Sequence, residues 1–359
     1  MTLRSRSRLW HFNLPRTLWG AGTLILLLLS SLPTGYAGEQ LPGEVQRVKM
    51  IGFTVGNVDS EVDFFTKVLQ FEKIADFRVL GRAYDKMQGV FNVNMRVVHL
   101  RLGEQIVELT EYVAPPTGRP IPVPSYSNDA WFQHLAIVVS DMDAAYKVLQ
   151  DNNVRQISSY PITIPQTNPG AAGIQAIKFH DPEHHDLELI HFPPGKGDPL
   201  WQRPTSRLFL GITHTAMTVE SSEREVAFYR DLLGLRVGGV TLNGGETQEV
   251  LDNLFNDTCL VTEMMPVSAP AHIELLDYKT PLGGRPMPTD TAANDLWHWQ
   301  TTVVTKDIAA VTGRLLKAGV RFVTPDVLTT PVEAQAQLGF KKAVMVRDPS
   351  GHAIRLVEE

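Results

Sequence analysis

The chain carries 11 histidines but a single cysteine, Cys259, so any metal it holds must be bound through nitrogen and oxygen rather than thiolate. Two glutamates stand out by their setting: Glu188 lies between Leu187 and Leu189, and Glu274 between Ile273 and Leu275. In an extended segment side chains alternate between faces, so each carboxylate points away from its apolar neighbours. A carboxylate turned into the protein needs a partner, and a metal ion is one; a solvated outer sheet face is the other reading. His134 and His214 also sit in strand-like segments, where a histidine taken alone reads as a hydrogen-bonded residue before it reads as a ligand. His272 is two residues before Glu274 and shares its face, and His298 stands in the same relation to Gln300. His180, His184, His185 and His191 surround the Asp181-Pro182 turn and read as solvated loop. The Gly-Arg-Pro runs at 118–120 and 284–286 predict turns, with Arg119 or Arg285 placed to reach an anionic substrate. Trp131 and Trp297 read as core or domain-interface residues.

Internal repetition supplies the elements that must position these groups. Residues 118–145 lie over 284–311 without a gap, matching Asn128-Asp129 to Asn294-Asp295, Trp131 to Trp297 and Asp141 to Asp307. Upstream, Phe64-Phe65 lies over Phe228-Tyr229, and downstream Asp181-Pro182 lies over Asp348-Pro349. The chain is therefore a tandem duplication, 45–197 and 206–359, joined by a Pro- and Gly-containing stretch at 192–204. Each half divides again. Residues 212–219 alternate as a strand, Ser222-Glu223-Arg224-Glu225 reads as a capping box, and Val226, Tyr229, Leu232 and Leu233 form a helical stripe that Gly234 stops. Strands are predicted at 133–139, 176–190, 271–276, 300–305 and 342–357, with helices beginning near Asp141 and Asp307. Four units of one strand, one helix and about three strands make this an α+β protein.

The first 40 residues are of another kind. Arg4, Arg6, Arg8 and Arg16 precede an apolar stretch at 21–32, and Gly35-Tyr36-Ala37 offers small residues for cleavage, so 1–37 reads as a secretory signal peptide. The apolar core falls short of the roughly 20 residues a spanning helix needs, so no membrane span is expected after cleavage. The mature chain is expected to be periplasmic or secreted. Its net charge of −6 and lack of any basic run exclude nucleic acid as a partner.

Particular phrases in this framework resemble the vicinal oxygen chelate (VOC) superfamily, which includes glyoxalase I, extradiol dioxygenases, epimerases and bleomycin or fosfomycin resistance proteins. They are Thr213-His214-Thr215-Ala216-Met217, His272-Ile273-Glu274-Leu275, His134-Leu135-Ala136-Ile137 and Asp186-Leu187-Glu188-Leu189. The resemblance covers nearly all of the chain after residue 45 and implies four βαβββ modules forming two tandem VOC domains. It also implies a divalent metal, held by one residue from the first strand and one from the last strand of each of two modules. The positions are Met50 and Glu108, His134 and Glu188, His214 and Glu274, and Gln300 and Arg355. A thioether suits a hard divalent ion poorly and a guanidinium cannot ligate. If modules pair within each half, neither site is complete. If they pair crosswise, as in fused glyoxalases, modules two and three give His134, Glu188, His214 and Glu274, and Arg355 is left to neutralise Glu108. The crosswise arrangement is the expectation, since it loses one whole site rather than damaging both.

By the same resemblance the metal is Zn, Ni, Co, Fe or Mn, the substrate is a small molecule that chelates through adjacent oxygens, and Glu188 or Glu274 transfers the proton in glyoxalase, lyase or isomerase chemistry. Glutathione-binding members resemble each other in an Arg and an Asn where this chain has Thr218 and Tyr278, so another substrate is expected. The alternatives are an Fe(II) extradiol-type dioxygenase and a non-catalytic binding protein of the resistance type. The chain is expected to act as a monomer or homodimer.

Overall fold

The structure is a computed structural model that describes residues 41, 44–268 and 271–359. The signal peptide expected at 1–37 lies outside the described residues. No helix among them is long and apolar enough to cross a membrane.

The four modules follow one another in the chain. The first has β1 (Val45–Val55), α1 (Val58–Lys67), β2 (Glu72–Leu80), α2 (Arg82–Gln88), β3 (Asn94–Leu102) and β4 (Gln105–Ala114). The second has β5 (Gln133–Val139), α3 (Met142–Asp151), β6 (Ile162–Thr163), β7 (Gln175–His180) and β8 (Asp186–His191). The third has β9 (Phe209–Thr218), α4 (Ser222–Val226, continued by a π-helical turn Ala227–Leu232), β10 (Arg236–Gly244), α5 (Glu246–Asp252), β11 (Thr258–Met265) and β12 (His272–Thr280). The fourth has β13 (Trp299–Thr305), α6 (Ile308–Lys317), β14 (Arg321–Phe322), β15 (Leu328–Thr329), α7 (Val332–Leu338), β16 (Lys342–Arg347) and β17 (Ala353–Glu358).

These strands form two sheets, and the sheets do not follow the halves of the sequence. One runs β14-β16-β17-β13-β1-β4-β3-β2, with β15 also on β16, and so joins modules four and one; the other runs β10-β11-β12-β9-β5-β8-β7-β6 and joins modules three and two. The central pairs, β1 with β13 and β5 with β9, are antiparallel, and every module pairs its first and last strands in parallel. One continuous apolar cluster, with Ile51 and Phe53 from β1, Leu135 and Ile137 from β5, Met217 from β9 and Val303 from β13, packs one face of both sheets against the helices. Strand alternation leaves His134, Ala136, His214 and Ala216 facing the other way.

The helices start where the sequence says, with one correction. Asp141 and Asp307 cap α3 and α6 by accepting from Ala144 and Ala310. At α4 the cap is Ser221 rather than Ser222, and Glu225 does not close a capping box: its carboxylate accepts from Ser350 Oγ at 2.6 Å. Glu225 and its counterpart Glu61 are buried at the junctions between modules. Burial and the neighbouring Asp348 push the Glu225 carboxyl well above the ordinary carboxylate range, as burial, Asp181 and Glu183 do for Glu61.

The linkers between modules clasp each other. Arg119 grips Asp295 through its amide at 2.8 Å and Nη2 at 2.7 Å and stacks on Trp297 at 4.7 Å, while Arg285 grips Asp129 through its amide at 2.9 Å and Nε at 2.9 Å and stacks on Trp131 at 4.5 Å. Both arginines are thereby engaged within the protein, not held out for a substrate. The glycines ahead of them permit the approach: a Cβ on Gly284 would stand 1.8 Å from Asn128 O.

Two stability measurements check this account. Gly284→Ala is expected to lose about 1–3 kcal/mol or more in urea unfolding through overpacking. Gly313→Ala, where a Cβ meets nothing within 4 Å inside α6, is expected to gain about 0.5–1 kcal/mol. For Glu225, a value raised in the folded state means a contribution present at low pH and lost as pH climbs past the ordinary carboxylate range. Glu225→Gln should therefore flatten the fall of Tm between the ordinary carboxylate range and about pH 9; an unchanged pH dependence would contradict the assignment.

Candidate metal centre

The centre lies on the face of the β5–β9 pair opposite the helix-packed core, and its histidines and Glu188 are buried. Their register sets Ala136 opposite His214 and His134 opposite Ala216, so the two imidazoles straddle the strand boundary with ring centroids 5.7 Å apart. Parallel neighbours add the carboxylates: β8 sets Glu188 beside Ala136, and β12 sets Glu274 beside Ala216. His134 Nε2 lies 3.1 Å from Glu188 Oε2, His214 Nε2 lies 3.5 Å from the same oxygen, and His214 Nδ1 lies 3.5 Å from Glu274 Oε1. His272 Nε2 sits 3.3 Å from Glu274 Oε1.

The four residues expected from sequence thus come together, but as two overlapping trios rather than one ring. Donor atoms of His134, Glu188 and His214 lie within 4.8 Å of one another, and so do those of His214, His272 and Glu274. His272 belongs to the second trio as a full member, closer than the supporting position beside Glu274 that its spacing suggests.

This donor set fits a divalent ion. His214 Nε2 is buried without a hydrogen-bond partner beside Glu188, an orphaned state that a cation would relieve. The charges are arranged to suit. Burial pushes the Glu188 carboxyl up, but His134 and His214 more than reverse this and hold it below the ordinary range. Glu274 is likewise held at about 2, burial being outweighed by His214 and His272. Burial also lowers His134, while on His214 the carboxylates Glu274 and Glu188 overcome it and raise the value. Two ionised carboxylates facing imidazoles are a donor set for a borderline cation.

The other sheet repeats the same register with different contents. Gly52 pairs with Gln300 and Met50 with Thr302, Glu108 lies beside Gly52, and Arg355 lies beside Thr302. Met50, Gln300, Glu108 and Arg355 therefore stand where His134, His214, Glu188 and Glu274 stand in the first sheet. Arg355 Nη2 meets Glu108 Oε1 at 2.8 Å, Gln300 Nε2 meets the same oxygen at 2.9 Å, and His99 Nε2 meets Oε2 at 3.0 Å. Burial would raise Glu108, yet Arg355 and His99 hold it at about 2. Met50 joins Phe77, Val79, Met95, Tyr112 and Phe340 in an apolar cluster that fills this face. No cation fits there, because a guanidinium already holds the place of one.

The remaining sequence candidates fall elsewhere. His185 is buried rather than solvated, bonded to Asp181 Oδ2 at 2.8 Å and to Thr54 O at 2.9 Å. His180 pairs with Asp186 at 3.1 Å, and His184 lies 3.4 Å from Arg155. His298 is buried away from the centre, pushed down to about 3 by burial and by Arg347. Thr218 bonds Ser127 O and Tyr278 bonds Asp252. One pair lies outside the sequence candidates: Lys178 stands opposite Glu188 in the ladder and forms a buried ion pair with Asp252 of α5. Its strand position puts Lys178 in step with the Glu188 face, a usable signal; nothing local marks Asp252.

With the geometry in place, comparison with known proteins decides the family. The sequence profile of the Glyoxalase/Bleomycin resistance protein/Dioxygenase superfamily matches residues 47–189 and again 211–356. The chain belongs to that superfamily. A 2-epi-5-epi-valiolone epimerase of Actinomyces sp is 35% identical over 178 residues, which is 48% of this chain and 92% of that one. Glyoxalase I from Zea mays shares the fold at TM-score 0.55 and 17% identity, over 87% of this chain and 92% of its own. A putative dioxygenase from Bacillus subtilis does so at TM-score 0.52 and 15% identity, over 88% and 86%. Membership carries the α+β architecture of two tandem VOC segments and, in general for these enzymes, a metal ion and a small-molecule substrate.

The degenerate centre yields a prediction. Arg355→Met leaves Glu108 buried and charged, and is expected to cost about 3–5 kcal/mol in urea unfolding. Adding Glu108→Gln should recover the greater part of that loss. A single substitution that costs nothing would show that Arg355 is not the counter-charge.

Proposed function

We propose that this chain is an exported, metal-dependent enzyme that moves a proton on a small substrate offering two adjacent oxygens, as an epimerase, isomerase or lyase does. The observation that carries this is the placing of Glu188 and Glu274 at the two ring nitrogens of one imidazole, His214, both held ionised. Epimerisation needs a base on one side of a carbon and an acid on the other. A bound divalent ion supplies charge stabilisation to the oxygen beside that carbon. His134 and His214 fix the centre from two strands, and the buried Lys178 faces Glu188 across the ladder and favours its charged form. Glu274 is the less buried of the two carboxylates and receives the substrate side. The resemblance to a relative named as an epimerase supports the reading, and the apolar, arginine-led first 37 residues support export.

The test is metal analysis of the purified chain followed by proton exchange. One divalent ion per chain is expected, lost in His214→Ala and retained in Glu108→Gln. With 2-epi-5-epi-valiolone as the probe in D2O, Glu188→Gln and Glu274→Gln are each expected to slow solvent deuterium uptake by about 10²–10⁴-fold with the fold intact. Absence of stoichiometric metal would overturn the proposal. The trio His134, Glu188 and His214 is also a set of two histidines and one carboxylate, the composition of Fe(II) oxygenase sites. Iron as the bound metal, together with oxygen consumption on catechol, would favour that second reading.

A further inference from the structure

Away from the metal centre, where module three meets module four, a groove of about 640 Å³ opens between α4 and the turn that joins β16 to β17. Its wall contains Arg347, only 4% exposed. The guanidinium donates to two backbone carbonyls, Gly351 O at 2.7 Å and Thr291 O at 2.9 Å, and makes no ion pair with a carboxylate among the described residues. Burial works against its charge, Arg321 adds like charge, and Asp348 and Asp295 offset this only in part, leaving it at about 10. A buried charge with no partner is costly to keep.

The groove's own carboxylates are committed elsewhere. Asp348 accepts from Tyr229 OH at 2.9 Å and from the amides of Gly351 and His352 at 2.8 Å, Asp231 binds Arg230 at 2.6 Å, and Glu220 lies 3.6 Å from Arg224. Arg321 stands on the same wall, held by one bond from Nη2 to Thr289 O at 2.7 Å. The opposite wall is mixed, with Phe228, Leu232 and Met287 as its apolar part beside Glu220, Arg224 and Asp231. A second cleft of about 590 Å³, between the 120–127 linker, module two and the end of α5, contains His180, which precedes Asp181-Pro182 as Arg347 precedes Asp348-Pro349, and His180 lies 3.1 Å from Asp186. Of these two positions before Asp-Pro, only that of Arg347 places a buried guanidinium without a carboxylate ion pair in a groove wall.

We propose that this groove binds a small organic anion, a carboxylate or phosphate ester with an apolar body. Its charged end lies between Arg347 and Arg321, and its body lies against Phe228, Leu232 and Met287. The site is independent of the metal centre, which is built on the β5–β9 pair.

Calorimetric titration of the full mature chain with phenyl phosphate and with benzoate tests this, with benzyl alcohol as the uncharged control. Saturable binding of one molecule per chain is expected for at least one of the two anions, and the tighter one names the headgroup. Arg321→Met, at an exposed position, is expected to weaken it at least tenfold without changing metal content; Arg347→Met should do the same if the fold survives. His214→Ala should bind the anion as the parent does. Equal binding of benzyl alcohol, undiminished binding by Arg321→Met, or loss of binding in His214→Ala would each overturn the proposal.

Discussion

Everything at the candidate centre depends on the hydrogen-bonded register between β5 and β9. His134 and His214 belong to opposite halves of the sequence, and no local element can bring them together. A slip of one residue would turn every side chain on one strand to the other face and send an imidazole into the apolar core. The register is held from outside the ladder as well as within it. The arginine clasps fix the linkers that precede β5 and β13, and each clasp combines a nearly buried aspartate, a forked guanidinium and an indole face. Planar, bidentate contacts of this type constrain orientation as well as distance.

The two sheets illustrate how one geometry serves two ends. Their central registers correspond residue for residue, so the backbone offers the same four positions twice. In one sheet these positions carry two imidazoles and two carboxylates, with a buried lysine behind. In the other a guanidinium replaces a carboxylate and a thioether replaces an imidazole. The cation requirement of Glu108 is met by an ion pair to Arg355 of the chain itself, and α2 and α7 lay apolar side chains over the face. The first arrangement depends on what binds to it; the second is complete as folded. Within the second site the guanidinium and the carboxylate balance each other without a bound ion.

Much of this was legible in the sequence because it depends on repetition and period. The duplication, the alternation that sets Glu188 and Glu274 against their apolar neighbours, and the caps Asp141 and Asp307 follow from local pattern or from comparing one half with the other, while the pairing of Arg355 with Glu108 comes through the family resemblance. What escaped reading is what long-range packing decides. The Gly-Arg-Pro runs look like turns with arginines to spare, and only the meeting of two distant linkers shows the arginines consumed. His185 looks solvated beside its Asp-Pro turn, yet the turn folds inward and buries it. Glu225 has the spacing of a capping residue, but a serine from another module competes for it. The Lys178–Asp252 pair joins a strand of one half to a helix of the other, and no periodicity links them.

The crossed arrangement of modules has a consequence for how the protein behaves when scarce. A centre shared between two separate subunits would fall apart on dilution, its occupancy set by the dissociation constant of the pair. Here the stretch at 192–204 tethers both contributors, so each half meets the other at an effective concentration fixed by the tether, on the order of millimolar for short flexible linkers. Completeness of the centre is thus a property of a single molecule, whatever the concentration of the protein around it.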